Sequence, residues 1–459
     1  MIKNHAARRY QAIALAATFF LSAFGPIVWA EEAKPAEKTP AKASQVSVTP
    51  KKEDHTGAMA KEPTHEQKQG TREVNKPVES NEAAVSIQDS QTDGDQPNPQ
   101  MQAVLDAQKA MQVKPLIELT PEEARQQPSI FDALKKMADQ SEAKKTGEAA
   151  AALTTANIKI PTNQGEIKAR VYKPAEKEAG NLTEADEAQA AARPLPVIVY
   201  YHGGGWVLGD LDTYDASARA LAESTEAIVV SVDYRHAPEH PLPAAYEDAF
   251  AAYQYVLKNV KSMGGDPARV AIAGESAGGN IAANVTMAAR DAKLPLPVHQ
   301  LLIYPVAGTD MTTGSYTTYS DASPLSKAAM GWFFKQALRA PGDIASPRLN
   351  LTQANLKGLP PTTVITAEID PLKDDGVKLA RTLKENGVAV DYKNYKGVTH
   401  EFFGMSDVVD EAREAQLYAA DQLKSAFAAV PGSVTQPAES QAASADDEQK
   451  SDAASDAAD

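Results

Sequence analysis

The fold is decided by residues 270–287, which read VAIAGESAGGNIAANVTM. The first residues of this stretch are apolar and β-prone, and its second half is alanine-rich with apolar residues at helical spacing. Between the halves lies the sequence GESAGG (Gly274–Gly279), which matches the G-x-S-x-G turn that joins a strand to a helix. Glycines at both ends permit a tight turn that side chains would block. The pattern predicts that Ser276 is presented at this turn, beside a helix N-terminus that favours negative charge.

The composition of the 459-residue chain excludes several classes of function. The chain has no cysteine, so disulfides, a thiol nucleophile and thiolate metal sites are excluded. Its net charge of −15 argues against non-specific binding to nucleic acids or to anionic membrane surfaces. His236 and His240 have the spacing of a helical metal pair, but Pro238 and Pro241 disfavour that helix. We therefore expect neither a metal nor a cofactor, and no nucleic-acid partner.

The first 30 residues have the features of a secretory signal peptide. Basic residues precede an apolar stretch at 12–24, and Val28-Trp29-Ala30 resembles a small-x-small cleavage site. An uncleaved anchor is the alternative, but Pro26 and the short apolar run count against it. We expect export to the periplasm or the medium, with no integral membrane segment after cleavage of residues 1–30.

The two ends of the mature chain differ in composition from its middle. Residues 31–97 are rich in polar residues and contain no Phe, Trp or Tyr, which predicts a disordered linker. Residues 431–459 are rich in alanine, serine and acids, which predicts a disordered acidic tail. Either segment is a solvated spacer or, alternatively, an interaction tail or tether. The folded domain is therefore expected at 98–430.

Within that domain, β-prone runs alternate with helical patterns from residue 152 onward. Such alternation predicts an α/β fold with a mostly parallel sheet covered by helices on both faces. Functional sites in such folds lie at the carboxyl ends of the strands. The predicted strands that precede candidate residues are 197–201, 270–273, 363–369 and 388–395.

A glycine motif follows the strand predicted at 197–201. It reads HGGGW (His202–Trp206), and its three consecutive glycines leave backbone amides that can approach a ligand closely. Acyl transfer requires such donors because its tetrahedral intermediate carries an oxyanion. The amide of Ala277 would be a further donor. The alternative interpretation is a flexible glycine turn.

A base and an acid complete the candidate site. Of the eight histidines, His400 is the best placed, because it lies in a loop after the last predicted strand. Asp370 directly follows the strand at 363–369 and is the favoured orienting acid. Three other carboxylates compete with it: Glu368, Asp374 and Asp375. The chain order Ser276, Asp370, His400 is that of α/β-hydrolases.

These residues predict a mechanism of nucleophilic acyl transfer. Ser276 attacks an ester carbonyl while His400 takes its proton and Asp370 holds the imidazole tautomer. The amides of Gly204, Gly205 and Ala277 then stabilise the oxyanion. Water finally hydrolyses the acyl-enzyme, with the histidine again acting as base.

Together, five motifs resemble those of the hormone-sensitive-lipase-like (bacterial family IV) esterases of the α/β-hydrolase superfamily. They are His202–Trp206, Asp233–Glu239, Gly274–Gly279, Asp370–Leu372 and His400–Phe402. The resemblance covers about 101–427 and implies an eight-stranded sheet with a helical cap, formed by the N-terminal helices and about 309–346. It implies hydrolysis of short- to medium-chain acyl esters, the same triad, and oxyanion amides at Gly204, Gly205 and Ala277. Gly203 belongs to the same turn and is a further candidate for the oxyanion hole.

Two questions stay open at this point. Many family members have aspartate where this chain has Glu275, whose role the sequence does not assign. The same machinery would also serve a lactonase, an amidase or a deacetylase, and a non-catalytic ligand-binding protein on this fold is a further alternative. Relatives of that last kind typically lose a triad residue. The expected partner is a small-molecule ester, and the oligomeric state is not predicted.

Overall fold

The computed structural model describes residues 96–140, 153–175 and 194–431. Three predicted segments lie wholly or almost wholly outside the described residues: the signal peptide at 1–30, the linker at 31–97 and the acidic tail at 431–459.

Eight strands form one sheet in the order β1-β2-β4-β3-β5-β6-β7-β8. The strands are β1 (Leu153–Thr162), β2 (Gly165–Pro174), β3 (Leu195–Tyr201), β4 (Ile228–Asp233), β5 (Gly265–Glu275), β6 (Gln300–Ile303), β7 (Thr362–Ile369) and β8 (Val390–Thr399). Strands β3 to β8 run parallel to one another. Strand β2 is antiparallel both to β1 and to β4. The predicted mostly parallel, eight-stranded sheet is confirmed.

Helices cover both faces of this sheet. The described helices are α1 (Pro99–Ala110), α2 (Pro121–Gln126), α3 (Ile130–Gln140), α4 (Asp215–Thr225), α5 (Ala244–Asn259), α6 (Ala277–Asp291), α7 (Gly314–Thr318), α8 (Lys327–Ala337), α9 (Lys373–Glu385) and α10 (Asp410–Ala428). Side chains of β3 alternate between two apolar cores, because successive residues of a strand point to opposite faces. Val197 and Val199 pack in the core shared with α5, α6 and α9, and Ile198 packs in the core shared with α4 and α10.

None of the described helices is both long and apolar enough to cross a membrane.

The N-terminal helices are fixed beside α8 and the ends of the parallel strands. Helix α2 begins with a capping box: the Thr120 hydroxyl accepts from the Glu123 amide, and the Glu123 carboxylate accepts from the Thr120 amide. The indole of Trp332 in α8 donates to the carbonyl of Leu119 at 3.1 Å. Arg125 of α2 forms an ion pair with Glu239, at 2.8 Å, in the turn after β4. These contacts place the helices where they can cover a site at the carboxyl ends of the strands.

Candidate active site

The turn that carries Ser276 is a sharp strand-to-helix junction. Strand β5 ends at Glu275, α6 begins at Ala277, and Ser276 between them has φ +55°. This left-handed backbone is costly for a residue with a side chain and persists only where the surroundings impose it. A Cβ atom on Gly274 would lie 2.2 Å from the carbonyl oxygen of Gly278. Glycine is therefore required there for the strand and the helix to meet at this angle.

The structure brings together the three residues predicted as nucleophile, base and acid. The Nε2 atom of His400 lies 2.9 Å from the Oγ atom of Ser276. Its Nδ1 atom lies 2.7 Å from the Oδ2 atom of Asp370. All three side chains are buried, and the amide of Leu372 fixes Asp370 by donating to its other oxygen at 2.8 Å. They follow β5, β7 and β8, so parallel strands of one sheet deliver all three to one edge.

The environment of His400 sets both its charge and its tautomer. Burial alone would lower the pKa of this imidazole, but the negative charge of Asp370 and its hydrogen bond outweigh burial, and the pKa is raised above its ordinary value. Since a carboxylate only accepts, Nδ1 carries the proton that faces Asp370. The lone pair of Nε2 in the neutral ring then faces Ser276, which is the arrangement a general base requires.

The glycine turn lies against the same site. Gly204 and Gly205 have φ values of +92° and +61°. A Cβ atom on Gly204 would lie 2.0 Å from the carbonyl oxygen of Leu208, and one on Gly205 would lie 2.2 Å from the ring of Phe333. Side chains are therefore excluded from both positions, and the backbone itself forms the surface beside Ser276.

Gly203 and Ala277 differ from the other two predicted amide donors. The carbonyl of Gly203 accepts from the hydroxyl of Tyr234 at 3.2 Å, and a Cβ atom there would lie 2.5 Å from the hydroxyl of Tyr214. Within the described part of the chain, Gly204 and Gly205 line the adjoining cavity but Gly203 does not. Ala277 is the first residue of α6, where a backbone N–H has no acceptor within its own helix.

A cavity of about 500 Å³ opens onto Ser276 and His400. Much of its wall comes from the glycine turn and from stretches within 108–132 and 322–333. The N-terminal helical region and part of the segment assigned to the cap therefore both contribute to it. Cavities of this size accommodate small organic molecules.

Glu275, which the sequence leaves without a role, lies at the centre of a buried hydrogen-bond network. One carboxylate oxygen accepts from the hydroxyl of Tyr200 at 2.6 Å, and the other accepts from that of Tyr304 at 2.5 Å. Burial, reinforced by the charge of Glu401, raises the pKa of Glu275 to about 7, although the tyrosine hydrogen bonds act in the opposite direction. The Tyr304 ring packs against the imidazole of His400, with 4.6 Å between centroids. Glu275 therefore fixes the wall behind the imidazole of His400.

Glu401 is a second residue that sequence reasoning does not single out. Its carboxylate accepts from the hydroxyl of Tyr214 at 2.8 Å and lies 3.9 Å from Nε2 of His400. Burial raises the pKa of this carboxyl group. The only sequence signal for Glu401 is its position directly after His400.

The three competing carboxylates are occupied elsewhere. Glu368 accepts from the amide of Gly397 in β8 at 3.0 Å. Asp374 accepts from the amide of Ser315 at 2.8 Å, and Asp375 accepts from the amides of Ala307 and Gly308. Each of them therefore fixes backbone rather than the imidazole of His400.

Comparison with known proteins shows the family. A family model described as the alpha/beta hydrolase fold matches residues 198–404. A carboxylesterase of Mycobacterium tuberculosis is 47% identical over 227 residues, which are 48% of this chain and 70% of that protein. The chain belongs to the hormone-sensitive-lipase-like esterases of the α/β-hydrolase superfamily. An ethyl acetate hydrolase of Pseudomonas putida, another relative of this esterase, is 31% identical over 71% of this chain and 96% of its own length.

Solved structures of other esterases are similar to this esterase in fold and in sequence. The hyperthermophilic esterase of Pyrobaculum calidifontis matches with a TM-score of 0.61 and 36% identity, covering 72% of this chain and 98% of that one. The resemblance predicted from the sequence motifs is therefore confirmed. Its relatives are carboxylesterases and esterases, and the protein is a carboxylic ester hydrolase.

Proposed function

We propose that the protein is a serine carboxylesterase in which Ser276 is the nucleophile, His400 the general base and Asp370 the orienting acid. The observation that carries the proposal is the pair of hydrogen bonds, 2.9 Å and 2.7 Å long, that links the three side chains beside the cavity. A ligand-binding protein without catalysis would have no need of this complete relay.

The reaction follows from these positions. The Oγ atom of Ser276 bonds to the ester carbonyl carbon while its proton passes to Nε2 of His400. The imidazolium, stabilised by Asp370, then protonates the departing alkoxide, and the alcohol leaves an acyl-enzyme. Water loses a proton to the same nitrogen and attacks the acyl carbon. The bond between that carbon and Oγ then breaks, the imidazolium returns its proton to Oγ, and the acid leaves.

The oxyanion of each tetrahedral intermediate is assigned to backbone amides. Gly204 and Gly205 line the cavity beside Ser276, and Ala277 offers the first amide of α6. The helix N-terminus adds favourable partial positive charge for the developing anion. Gly203 supports the turn, since its carbonyl accepts from Tyr234 and the residue is not part of the cavity wall.

We further propose short- to medium-chain acyl esters as substrates. Apolar side chains of Leu208, Val306, Leu325, Met330 and Phe333 contribute to the cavity wall. Each methylene that such a wall buries contributes about 0.8 kcal/mol, which corresponds to roughly a fourfold gain in kcat/KM. The gain ends at the chain length that fills the 500 Å³.

An acyl-chain series of chromogenic esters tests both proposals. We expect kcat/KM to rise over the short chains and then fall, and Ser276→Ala to abolish turnover. Ser262→Ala, at an exposed serine, is the matched control and should retain full activity. Retained turnover in pure Ser276→Ala protein would overturn the assignment. Amides and lactones with the preferred acyl group, tested alongside, would reveal an amidase or a lactonase if either were turned over faster than the ester.

We also propose export of the mature chain, on the strength of the signal-peptide features of residues 1–30. N-terminal sequencing of the protein recovered from the periplasm or the medium should begin at Glu31. Recovery of the uncut chain from the cytoplasm would contradict export.

A further inference from the structure

Three potential metal ligands meet behind the glycine turn: His202, Asp233 and His236. One ligand atom from each lies within 4.8 Å of the other two. Strands β3 and β4 are neighbours with Tyr201 beside Val232, so His202 and Asp233 follow at the same end of adjacent parallel strands. His236 lies three residues further on, in the segment that leaves β4. The sheet itself therefore brings two of these ligands together.

His202 is held in the orientation of a metal-binding histidine. Its side chain is fully buried, and its Nδ1 atom donates to the carbonyl of Gly203 at 2.9 Å. Its ring stacks on Tyr234, with 4.4 Å between centroids, and lies 5.5 Å from the ring of Tyr214. The Nε2 atom thus presents a lone pair, and it is buried with no hydrogen-bond partner among the described residues. Metal-bound histidines typically donate their other ring N–H to a carbonyl or carboxylate in this way.

His236 faces the same point. Its ring lies 5.5 Å from that of His202 at an angle of 90°, and its Nε2 atom is also buried without a described partner. The two histidines therefore offer ring nitrogens close enough to share one ion.

Asp233 supplies the negative charge of the cluster. It is half-buried at the end of β4, and burial raises the pKa of its carboxyl group, partly opposed by Lys168. Asp210 adds a second negative charge close to both histidines, whereas Arg125 adds a positive charge near His236. A bound cation would stabilise the ionised carboxylate directly.

We propose that His202, Asp233 and His236 form a binding site for a divalent transition-metal ion, for which zinc is the best match. Two imidazoles and one carboxylate are a common zinc set, with a fourth position left for water. Calcium and magnesium prefer oxygen ligands and fit this set poorly.

Little movement is needed to close the site around an ion. A tetrahedral zinc ion holds its ligand atoms roughly 3.4 Å apart, and no pair of these atoms is more than 4.8 Å apart, so the widest separation must shrink by at most roughly 1.4 Å. Asp233 and His236 are half-buried and can make this adjustment by side-chain rotation, whereas His202 is fixed. An ion bound there would anchor the residue that directly precedes Gly203, Gly204 and Gly205. The site itself does not depend on the catalytic roles proposed above.

The sequence pairs His236 with His240 instead, which is why no metal site is predicted from it. The structure shows that this pair lies in a turn, with His240 exposed and outside the cluster. His240 therefore provides a matched control: it is a histidine of the same segment that takes no part in the site.

The test is titration of the full chain, after treatment with EDTA, with Zn²⁺ by calorimetry and with Co²⁺ by visible absorption. We expect one ion per chain, a tetrahedral-type cobalt spectrum, and a higher Tm with zinc. His240→Ala should bind as the unmodified protein does, and His236→Leu should bind more than roughly tenfold more weakly. Circular dichroism reports whether each variant is folded, and Asp233→Asn is the second variant should His236→Leu fail to fold. Absence of zinc binding, or equal affinity in the folded ligand variants, would overturn the site.

Discussion

Replacing Glu275 by glutamine should remove a pH dependence of stability that this buried carboxyl group imposes on the fold. Burial, with the charge of Glu401, raises the pKa of Glu275 from 4.5 to about 7. Because the folded pKa lies above the unfolded one, the group contributes its full stabilisation below the unfolded value. That stabilisation is lost as the pH rises through the folded value. The window of loss therefore runs from about pH 4.5 to about pH 7.

The size of the effect follows from the two pKa values. Each pKa unit corresponds to about 1.4 kcal/mol, so the shift amounts to roughly 3 kcal/mol of unfolding free energy. Glutamine cannot ionise and keeps one carbonyl oxygen to accept from Tyr200 or Tyr304. The exchange of one hydrogen bond costs about 1 kcal/mol at every pH. The variant should therefore be the less stable protein in acid and the more stable one in mild alkali.

Urea denaturation of both proteins at about pH 4 and about pH 8 measures this difference. The stability of Glu275→Gln relative to the unmodified protein should improve by roughly 3 kcal/mol between the two conditions. Glu166→Gln, at an exposed glutamate of β2, controls for the loss of one charge. If the unmodified protein and Glu275→Gln lose stability in parallel, the reasoning about this carboxyl group is refuted.

Three further predictions concern the reaction itself. Asp370→Asn should lower kcat by roughly 10⁴-fold in steady-state assays, because the tautomer of His400 is no longer fixed; a loss of less than tenfold would argue against its role. Gly205→Ala should lower kcat by roughly 100-fold, since its Cβ atom would lie 2.2 Å from the ring of Phe333 and displace the amide; unchanged kinetics would exclude this amide. The pH profile of kcat/KM should fall on acidification, with a midpoint above the ordinary histidine pKa of 6.5, because the pKa of His400 is raised. A flat profile through this range would contradict its role as base.

The sheet was predictable from the sequence because its signals are local. Buried parallel strands are short apolar runs, and β3 and β7 end at the residues predicted for them. Two other strands are longer than predicted. Strand β5 begins at Gly265 because that residue pairs with Leu195, and β8 continues to Thr399 because that residue pairs with Ile369. These bounds were not predictable, because the pairings join segments that are distant in the chain. In addition, the polar residues of the edge strand β8 give no apolar pattern.

The three residues of the candidate site were also predictable from local sequence patterns. Ser276, Asp370 and His400 each follow a strand of a parallel sheet, so the strand ends alone predict that they meet. The role of Glu275 was not predictable, because it depends on hydroxyl groups 75 and 29 residues away in the chain. The pairing of His202 with His236 likewise depends on the register of β3 and β4.

The most direct test of the central claim is the site at which a mechanism-based inhibitor becomes attached. The full chain is incubated with a reactive short-chain alkyl phosphonate ester, and the modified peptide is identified by mass spectrometry. A phosphonate bonded to Ser276, one per chain and in step with the loss of esterase activity, is the predicted result. Loss of activity with Ser276 unmodified would contradict the assignment of the nucleophile and the mechanism built on it.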